Sequence, residues 1–328
     1  MRVLFAGSPE IAVPALAAVV RDHDVVGVLT NPEAAKGRGL RAVRTPVAEA
    51  AADLIPEAPL LAFERLGAEA REAAAALKPE ILACFAYGRI FGPKFLALFP
   101  RGGVNVHPSL LPRYRGCAPI PWAILNRDPE TGITVQRLAL EMDRGAILAR
   151  EIVPLSGRET TETLSALMAE RGADLLASVL QRIERGEATE EEQVEAQATY
   201  CTLLRKEDGR VDWALPAPDI DARIRAFHPW PGAFTELRGQ RVNLLESEPY
   251  PEGVLDGVLD SVQDVGGNGS AGRRDPGTVV ALDKSRGIMV QTGNGLLALR
   301  RLQLQTKKPL PFREFANGVR DLVGARFH

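Results

Sequence analysis

The chain has 328 residues, a formal net charge of −2, and 45% hydrophobic and 25% charged residues. Because domains usually hold about 100–200 residues, this length predicts two domains with a sizeable core. The near-neutral charge argues against a molecule that attracts nucleic acid over its whole surface. Any polyanionic partner must be recognised by a local cluster of basic residues.

The three cysteines, Cys84, Cys117 and Cys201, lie far apart and form no Cys-x-x-Cys pair. This spacing argues against a zinc site and a disulfide framework, and a lone cysteine such as Cys117 is usually a small apolar filler. No apolar run approaches the roughly 20 residues that a membrane-spanning helix needs, and the first residues lack the features of a signal peptide. We therefore expect a soluble protein of the cytoplasm.

The first half of the chain alternates predicted strands and helices. Short apolar runs predict strands over 3–6, 24–30, 80–86, 103–107, 133–140 and 147–153. Helical spacing of apolar residues predicts helices over 11–21, 46–53, 66–77 and 160–185. This alternation is typical of an α/β domain with a doubly wound, mostly parallel, Rossmann-like sheet. We assign it to residues 1–188, and in such sheets ligands bind beyond the carboxyl ends of the strands.

The second half has a different pattern. Residues 189–208 are polar with little apolar periodicity, which predicts a linker. One helix over 217–226 precedes short predicted strands over 232–237, 241–246, 277–282, 287–291 and 296–304. Short strands with glycine-containing turns predict a small antiparallel, OB-like β-barrel over residues 209–328. The glycine-rich stretch 266–272, inside an insertion over 264–275, has the composition of a flexible loop.

The sequence of the turn after the first strand decides whether this domain could bind a dinucleotide. A dinucleotide-binding domain requires the pattern G-x-G-x-x-G at this position, where glycines let the backbone approach the pyrophosphate. This chain has GSPEIA from Gly7 to Ala12. The dinucleotide-binding hypothesis is therefore excluded.

Reactive and conformationally restricted residues are densest between Asn105 and Gly116. Asn105 and His107 stand at i and i+2 of a predicted strand, so that their side chains face the same way at its carboxyl end. Pro108 and Pro112 stiffen the following loop. An amide donor and an imidazole therefore face one pocket, although a histidine taken alone is as often a core residue.

The run from Asn105 to Gly116, NVHPSLLPRYRG, resembles the signature of the folate-dependent formyltransferases, in which a strand ends in Asn-x-His before Ser-Leu-Leu-Pro. The turn 141–145, EMDRG, is similar to the second active-site segment of that family. Further similarity to its tRNA-acting branch lies in FAGSPE, in the loop 36–39, in Thr45-Pro46-Val47, in residues 224–234, and in the stretches 307–308 and 315–318. The resemblance covers nearly the whole chain, with departures at Pro108, Pro121 and the 264–275 insertion.

The resemblance implies three catalytic residues, Asn105, His107 and Asp143. An amine that attacks a formyl carbon builds negative charge on the oxygen, which Asn105 and a protonated His107 can stabilise by donating hydrogen bonds. Asp143 would favour the protonated imidazole and accept the proton that leaves the amine. Taken alone, Asp143 is more simply a turn residue, and only the resemblance gives it this role.

The resemblance also implies the substrates and their binding residues. The donor is 10-formyltetrahydrofolate, the acceptor is the α-amino group of initiator methionyl-tRNA, and no metal is implied. The residues implied to bind folate are Cys84, Phe85, Ala86, Tyr87, Gly88, Ser109, Leu110, Leu111 and Pro112. The residues implied to bind tRNA are Lys36, Arg38, Arg300, Arg301, Lys307 and Lys308. The resemblance further implies a monomer.

The carboxy-terminal end gives separate support for an RNA partner. Residues 284–328 contain nine lysines and arginines against two acids, Glu314 and Asp321. A cationic stripe on a small barrel suits phosphate binding, although an isolated basic run is usually only a solvated surface. Two alternatives stay open: a formyltransferase acting on a small amine, such as a purine ribonucleotide or an amino sugar nucleotide, and a non-catalytic RNA-binding protein. A purine-type enzyme would not need residues 209–328, and the intact Asn105, His107 and Asp143 argue against the second alternative.

Overall fold

A computed structural model describes residues 1–36, 41–251 and 274–328. The chain divides into two compact units. The first holds residues 1–120, 129–155 and 163–202, and the second holds 121–128, 156–162 and 203–328. Residues 189–202 of the predicted linker belong to the first unit. Arg38 and the stretch 266–272 lie outside the described residues.

Up to residue 202 the chain follows the predicted alternation of strands and helices. In chain order these are β1 (Arg2–Gly7), α1 (Val13–Asp22), β2 (Asp24–Thr30), β3 (Ala34–Lys36), β4 (Arg41–Val43), α2 (Pro46–Leu54), β5 (Leu60–Ala62), α3 (Ala68–Ala76), β6 (Ile81–Phe85), α4 (Pro93–Leu96), β7 (Gly103–His107), β8 (Arg115–Gly116), α5 (Pro119–Leu125), β9 (Glu130–Arg137), β10 (Ile147–Pro154), α6 (Thr161–Arg185) and β11 (Tyr200–Cys201). Most predicted bounds shift by one or two residues, and two of the differences have a clear cause. Glu10–Ala12 form a 3-10 turn that delays α1, and β9 begins at Glu130 because it pairs with Pro154 of β10.

The first unit is built on one seven-stranded sheet in the order β10-β9-β7-β6-β1-β2-β5. Strands β5, β2, β1, β6 and β7 run parallel to one another, whereas β9 is antiparallel to both β7 and β10. On one face, Phe85 and Val106 lie beside Gly172 of α6. On the other face, Leu82 and Cys84 belong to a core cluster with Ala74 of α3. The prediction of a doubly wound, mostly parallel sheet is confirmed.

The second unit has the predicted antiparallel strands. Its helices and strands are α7 (Ala217–Ala226), β12 (Ala233–Leu237), β13 (Gln240–Tyr250), β14 (Val279–Asp283), β15 (Gly287–Gln291), β16 (Leu296–Leu304), β17 (Leu310–Pro311) and α8 (Phe312–Asn317). The sheet order is β12-β13-β16-β15-β14, with β17 paired to β16. The last residues close this sheet, since His328 exchanges two backbone hydrogen bonds of 2.9 Å with Glu236 while Ala325 accepts one from Val279.

The closed sheet forms a small barrel around a continuous apolar core. Its buried members include Trp213, Ile220, Leu237, Leu302 and Phe327, and the rings of Trp213 and Phe327 stack at 5.6 Å. Burial of this apolar surface is the main stabilising contribution to the unit. Within the described residues, no helix combines the length and the apolar character that crossing a membrane requires.

Candidate active site

Three neighbouring strands present polar side chains at one level of the sheet. Asn105 of β7 is the register partner of Cys84 on β6 and of Gln136 on β9. Partners in adjacent strands share a face, and His107, two residues beyond Asn105, lies on the same face. The structure therefore gathers these four side chains where the parallel strand β7 ends.

His107 is buried, with 4% of its surface exposed, and its ring is held at both nitrogens. Nε2 lies 2.8 Å from the carbonyl oxygen of Tyr114. Because a carbonyl only accepts hydrogen bonds, Nε2 carries a proton. Nδ1 faces the carboxylate of Asp143, 3.6 Å from Oδ1. The predicted pairing of the imidazole with this carboxylate is present in the structure.

The carboxylate of Asp143 is fixed by two donors. Gln136 Nε2 donates to Oδ1, and the backbone N–H of Gly116 donates to Oδ2, each at 2.9 Å. Asp143 itself has a left-handed backbone with φ of 55°, a conformation that costs roughly 1–2 kcal/mol for a residue with a side chain. Two residues on, Gly145 passes so close to Arg137 that a β-carbon would lie 1.8 Å from its carbonyl oxygen. Tertiary contacts therefore hold this turn in shape.

The geometry accounts for how Asn105 and Asp143, separated by 38 positions in the sequence, come to one place. Gln136 is the cross-strand partner of Asn105 and the hydrogen-bond donor to Asp143. Asn105 is half-buried, whereas His107 is buried. One end of the sheet thus offers an amide, an imidazole and a carboxylate, which can donate hydrogen bonds to a developing negative charge and accept a proton.

The loop 109–112 after β7 is held to the sheet by Thr134. The Thr134 hydroxyl donates to the carbonyl of Ser109 at 2.7 Å and accepts from the N–H of Leu111 at 3.1 Å. The Ser109 hydroxyl donates to the carbonyl of Arg113 at 2.6 Å. In this loop Ser109, Leu111 and Pro112 are buried and Leu110 is half-buried. The loop therefore has a fixed course beside the candidate catalytic residues.

The chain leaves β6 at the same edge of the sheet, and there the side chains of Phe85 and Tyr87 point away from the candidate site. Ala86 and Gly88 have left-handed φ values of 52° and 81°, which turn the chain sharply. The Phe85 side chain packs on the opposite face, and the Tyr87 ring stacks on Phe91 at 5.4 Å in the core. Burial raises the pKa of the Cys84 thiol to about 12, so that it stays protonated and is a poor nucleophile.

Comparison with known proteins identifies the family. A family model described as formyl transferase matches residues 1–180, and a second, described as formyl transferase, C-terminal domain, matches residues 203–320. The chain belongs to the formyl transferase family. A protein named methionyl-tRNA formyltransferase from Treponema denticola is 44% identical over 333 residues, covering 100% of this chain and 99% of that protein. One of the same name from Treponema pallidum is 47% identical over 332 residues, covering 99% of each.

A solved structure of another formyltransferase has a similar fold. An N-formyltransferase from Helicobacter canadensis, in a complex with folinic acid and dTDP-3-aminofucose, matches with a TM-score of 0.64. The match covers 91% of this chain and 99% of that chain at 19% identity. At this identity the likeness shows a shared fold.

The basic residues of this formyl transferase differ in how far they are neutralised. Arg300 pairs with Glu248, and Arg301 lies 3.4 Å from Glu246, so that acids on β13 offset both charges. Lys307 and Lys308 are exposed in the connection between β16 and β17. Lys36 ends the strand β3, and Arg38 lies outside the described residues.

Several residues that shape the site were not predicted from the sequence. They are Arg115, Gly116, Thr134, Gln136 and Gln193. A polar residue at position 136 of a predicted strand was one available signal of a site residue. Its cross-strand neighbours, however, depend on which strands pair, and the local sequence does not show this. Gln193 lies in a polar stretch with no local pattern that indicates a role. Within residues 1–36, 41–251 and 274–328, no group of three or more His, Cys, Asp or Glu side chains could hold a metal ion.

Proposed function

We propose that this formyl transferase moves the formyl group of 10-formyltetrahydrofolate to the α-amino group of initiator methionyl-tRNA. The observation that carries the proposal is the similarity, over 99–100% of the chain, to proteins named methionyl-tRNA formyltransferase. This similarity includes the barrel unit, which a formyl transferase acting on a small purine substrate would not need. A reaction on charged tRNA belongs in the cytoplasm, and we propose that the protein works there as a monomer.

The reaction is a direct transfer without a covalent enzyme intermediate. The amine nitrogen attacks the formyl carbon and forms a new C–N bond through a tetrahedral intermediate. The bond from that carbon to N10 of the folate then breaks. The amine loses one proton and N10 gains one, so that tetrahydrofolate and formyl-methionyl-tRNA are the products. Asp143 accepts the amine proton, directly or through water. The protonated state of the Cys84 thiol is consistent with direct attack.

Asn105 and His107 stabilise the tetrahedral intermediate. Its negative charge develops on the former carbonyl oxygen, toward which the Asn105 amide donates a hydrogen bond worth about 2.7–4 kcal/mol in comparable oxyanion sites. Because Nε2 of His107 already donates to Tyr114, the nitrogen left for a second donor is Nδ1, beside Asp143. In this proposal the second hydrogen bond to the developing oxyanion therefore comes from Nδ1 of His107.

The folate lies along the strand ends in this proposal. The backbone of residues 84–88 turns through two left-handed residues, Ala86 and Gly88, at the end of β6, and we place the polar edge of the pterin against this turn. The loop 109–112 borders the approach, and Thr134 holds its course. Phe85 and Tyr87 contribute through their backbone, since their side chains pack elsewhere.

The tRNA is bound through basic residues of both units. We propose contacts from Lys36, Arg38, Arg300, Arg301, Lys307 and Lys308 to the phosphate backbone, which lysine and arginine neutralise without reading sequence. Lys307 and Lys308 are exposed, which favours such contacts.

The test is formyl transfer by the purified protein with labelled 10-formyltetrahydrofolate. We expect label on initiator methionyl-tRNA and none on uncharged tRNA, a purine ribonucleotide amine or an amino sugar nucleotide. Label on a small amine alone would favour the alternative enzyme class, and tRNA binding without transfer would favour a non-catalytic RNA-binding protein. His107→Ala should abolish turnover while leaving tRNA affinity unchanged, and equal loss of both would contradict the assigned role.

A further inference from the structure

The guanidinium of Arg115 is buried beneath the candidate active site. Arg115 is 1% exposed, and every partner on its side chain comes from residues 193–200. Its Nη1 donates to both carboxylate oxygens of Glu195, at 3.2 and 3.0 Å, and to the hydroxyl of Tyr200 at 3.1 Å. A buried charge is costly unless it is paired and fully hydrogen-bonded. These contacts therefore fix residues 193–200 in one place on the first unit.

The remaining donors of Arg115 orient the side-chain amide of Gln193. Nε and Nη2 of Arg115 donate to Gln193 Oε1, at 3.0 and 2.8 Å. Gln193 Nε2 donates in turn to the backbone carbonyls of Asp143 and Gly145, each at 2.8 Å. Arginine offers only donors and carbonyls offer only acceptors. The amide of Gln193 can therefore satisfy its partners in a single orientation.

The two carbonyls that Gln193 holds belong to the turn that aims the Asp143 carboxylate. Asp143 has a left-handed backbone there, which persists only where surrounding contacts hold it. Gln193 Nε2 also lies 3.3 Å from Oε1 of Gln136, whose Nε2 donates to Asp143 Oδ1. One side chain thus touches both the backbone of Asp143 and the group that binds its carboxylate.

We infer that Gln193, oriented by Arg115, is a positioning residue that sets the direction of the Asp143 carboxylate toward His107. The inference rests on the proposed catalytic role of Asp143. Gln193 acts through the backbone of Asp143 and Gly145 and through Gln136, so that its removal misplaces the proton acceptor without removing it.

Two substitutions test the positioning role at one side chain. Gln193→Met keeps the length of the side chain and removes all its hydrogen bonds. Gln193→Glu keeps an acceptor for Arg115 but places oxygen against the carbonyls of Asp143 and Gly145, where no bond can form. Both should lower kcat for formyl transfer, on the order of 10²-fold, because small misplacements of a reacting group have effects of this size. KM for 10-formyltetrahydrofolate and for methionyl-tRNA should stay unchanged.

The matched control is Gln197, four residues further and exposed. Gln197→Met and Gln197→Glu should leave kcat and both KM values unchanged. Thermal unfolding of all four variants shows whether the fold is kept. If Gln193→Met fails to fold, Gln193→Glu still carries the test, since it retains the bonds from Arg115.

A double-mutant cycle separates positioning from a general structural effect. In an Asp143→Asn protein, assayed under single-turnover conditions, Gln193→Met should cause no further loss, because there is no carboxylate left to position. The inference is overturned if Gln193→Met lowers the rate equally in both backgrounds, or if it leaves the unsubstituted protein fully active. Full activity of Asp143→Asn alone would instead contradict the proposed role of Asp143, and the inference with it.

Discussion

A β-carbon on Gly116 would lie 2.4 Å from the carbonyl oxygen of Cys201. This close approach is the parallel pairing of β8 with β11, and it occurs where Gly116 has a φ of +115°. The N–H of the same residue donates to Asp143. The contact between Gly116 and Cys201 therefore fixes one of the two donors that hold the candidate proton acceptor.

Gly116→Ala is expected to damage both stability and catalysis. The added methyl group has no room beside the Cys201 carbonyl, and the φ value is one that only glycine adopts without strain. Strain of this kind costs roughly 1–3 kcal/mol, which should lower the free energy of unfolding in urea by about that amount. As β8 moves away from β11, the bond to Asp143 lengthens and kcat should fall.

The control for this substitution is Gly318→Ala. Gly318 has a φ of −86°, and the nearest atom to an added β-carbon is an ordinary contact at 3.5 Å. This variant should keep its stability and kcat. A Gly116→Ala protein as stable and active as the unsubstituted one would contradict the geometry of the β8–β11 contact.

Asn105→Ala should lower kcat with little change in KM for either substrate. The proposed hydrogen bond from the Asn105 amide strengthens only when negative charge develops on the formyl oxygen, so that its loss affects the transition state. Loss of a comparable oxyanion donor lowers kcat by about 10²–10³-fold. Steady-state kinetics at saturating folate and varied methionyl-tRNA provide the measurement.

Asn105→Asp is the matched variant of nearly the same shape. It replaces the amide donor by a carboxylate that repels the developing charge, so that kcat should fall at least as far as in Asn105→Ala. If either variant raised KM while leaving kcat unchanged, Asn105 would be a binding residue and not an oxyanion donor.

The sequence predicted the sheets well because their strands are short apolar runs with distinct ends. The predicted bounds of β7, β15, β16 and α7 coincide with the structure. For β9 the prediction was wrong by three residues at each end, since the pairing with β10 and not the local apolar pattern sets its limits. Local patterns predict elements, and partner strands decide their bounds.

The candidate site was only partly predictable, for a physical reason. Asn105 and His107 share a strand, so that alternation alone placed them on one face. The direction of the Asp143 carboxylate depends on Gly116 and Gln136, and the turn beneath it depends on Gln193, 50 residues further along the chain. Such contacts leave no pattern in the local sequence, and the resemblance to a family was needed to single out Asp143.

The double substitution Lys307→Ala with Lys308→Ala should weaken tRNA binding. Both ammonium groups are exposed, and lysine contacts to phosphate release counterions from the nucleic acid. KM for methionyl-tRNA should rise, and the slope of its logarithm against the logarithm of salt concentration should fall by about one per lost contact. KM for the folate and kcat should not change.

Two further variants serve as comparisons for the double lysine variant. Lys94→Ala, an exposed lysine of α4, is the charge-matched control and should leave the salt slope unchanged. Arg300→Ala should have a smaller effect than the lysine pair, because Glu248 already offsets the charge of Arg300. An unaltered salt slope in the double lysine variant would rule out these residues as phosphate contacts.

The stability of the protein should fall with acidification partly because of His23. Its side chain is 1% exposed, with Nδ1 3.5 Å from the N-terminal nitrogen and 3.7 Å from Glu184. Within the described part of the chain, Nε2 is buried without a hydrogen-bond partner. Burial, reinforced by the N-terminal ammonium, lowers the pKa of His23 below its ordinary value, although Glu184 and Asp22 act in the opposite direction.

A histidine pKa lowered by folding makes the unfolded chain bind the proton more readily than the folded one. The contribution of His23 to stability is therefore complete above the unfolded pKa of about 6.5 and is lost as the pH falls below it. His23→Gln should make the free energy of unfolding in urea depend less on pH between 7 and 5. Equal slopes for His23→Gln and the unsubstituted protein would show that His23 takes no part in the acid response.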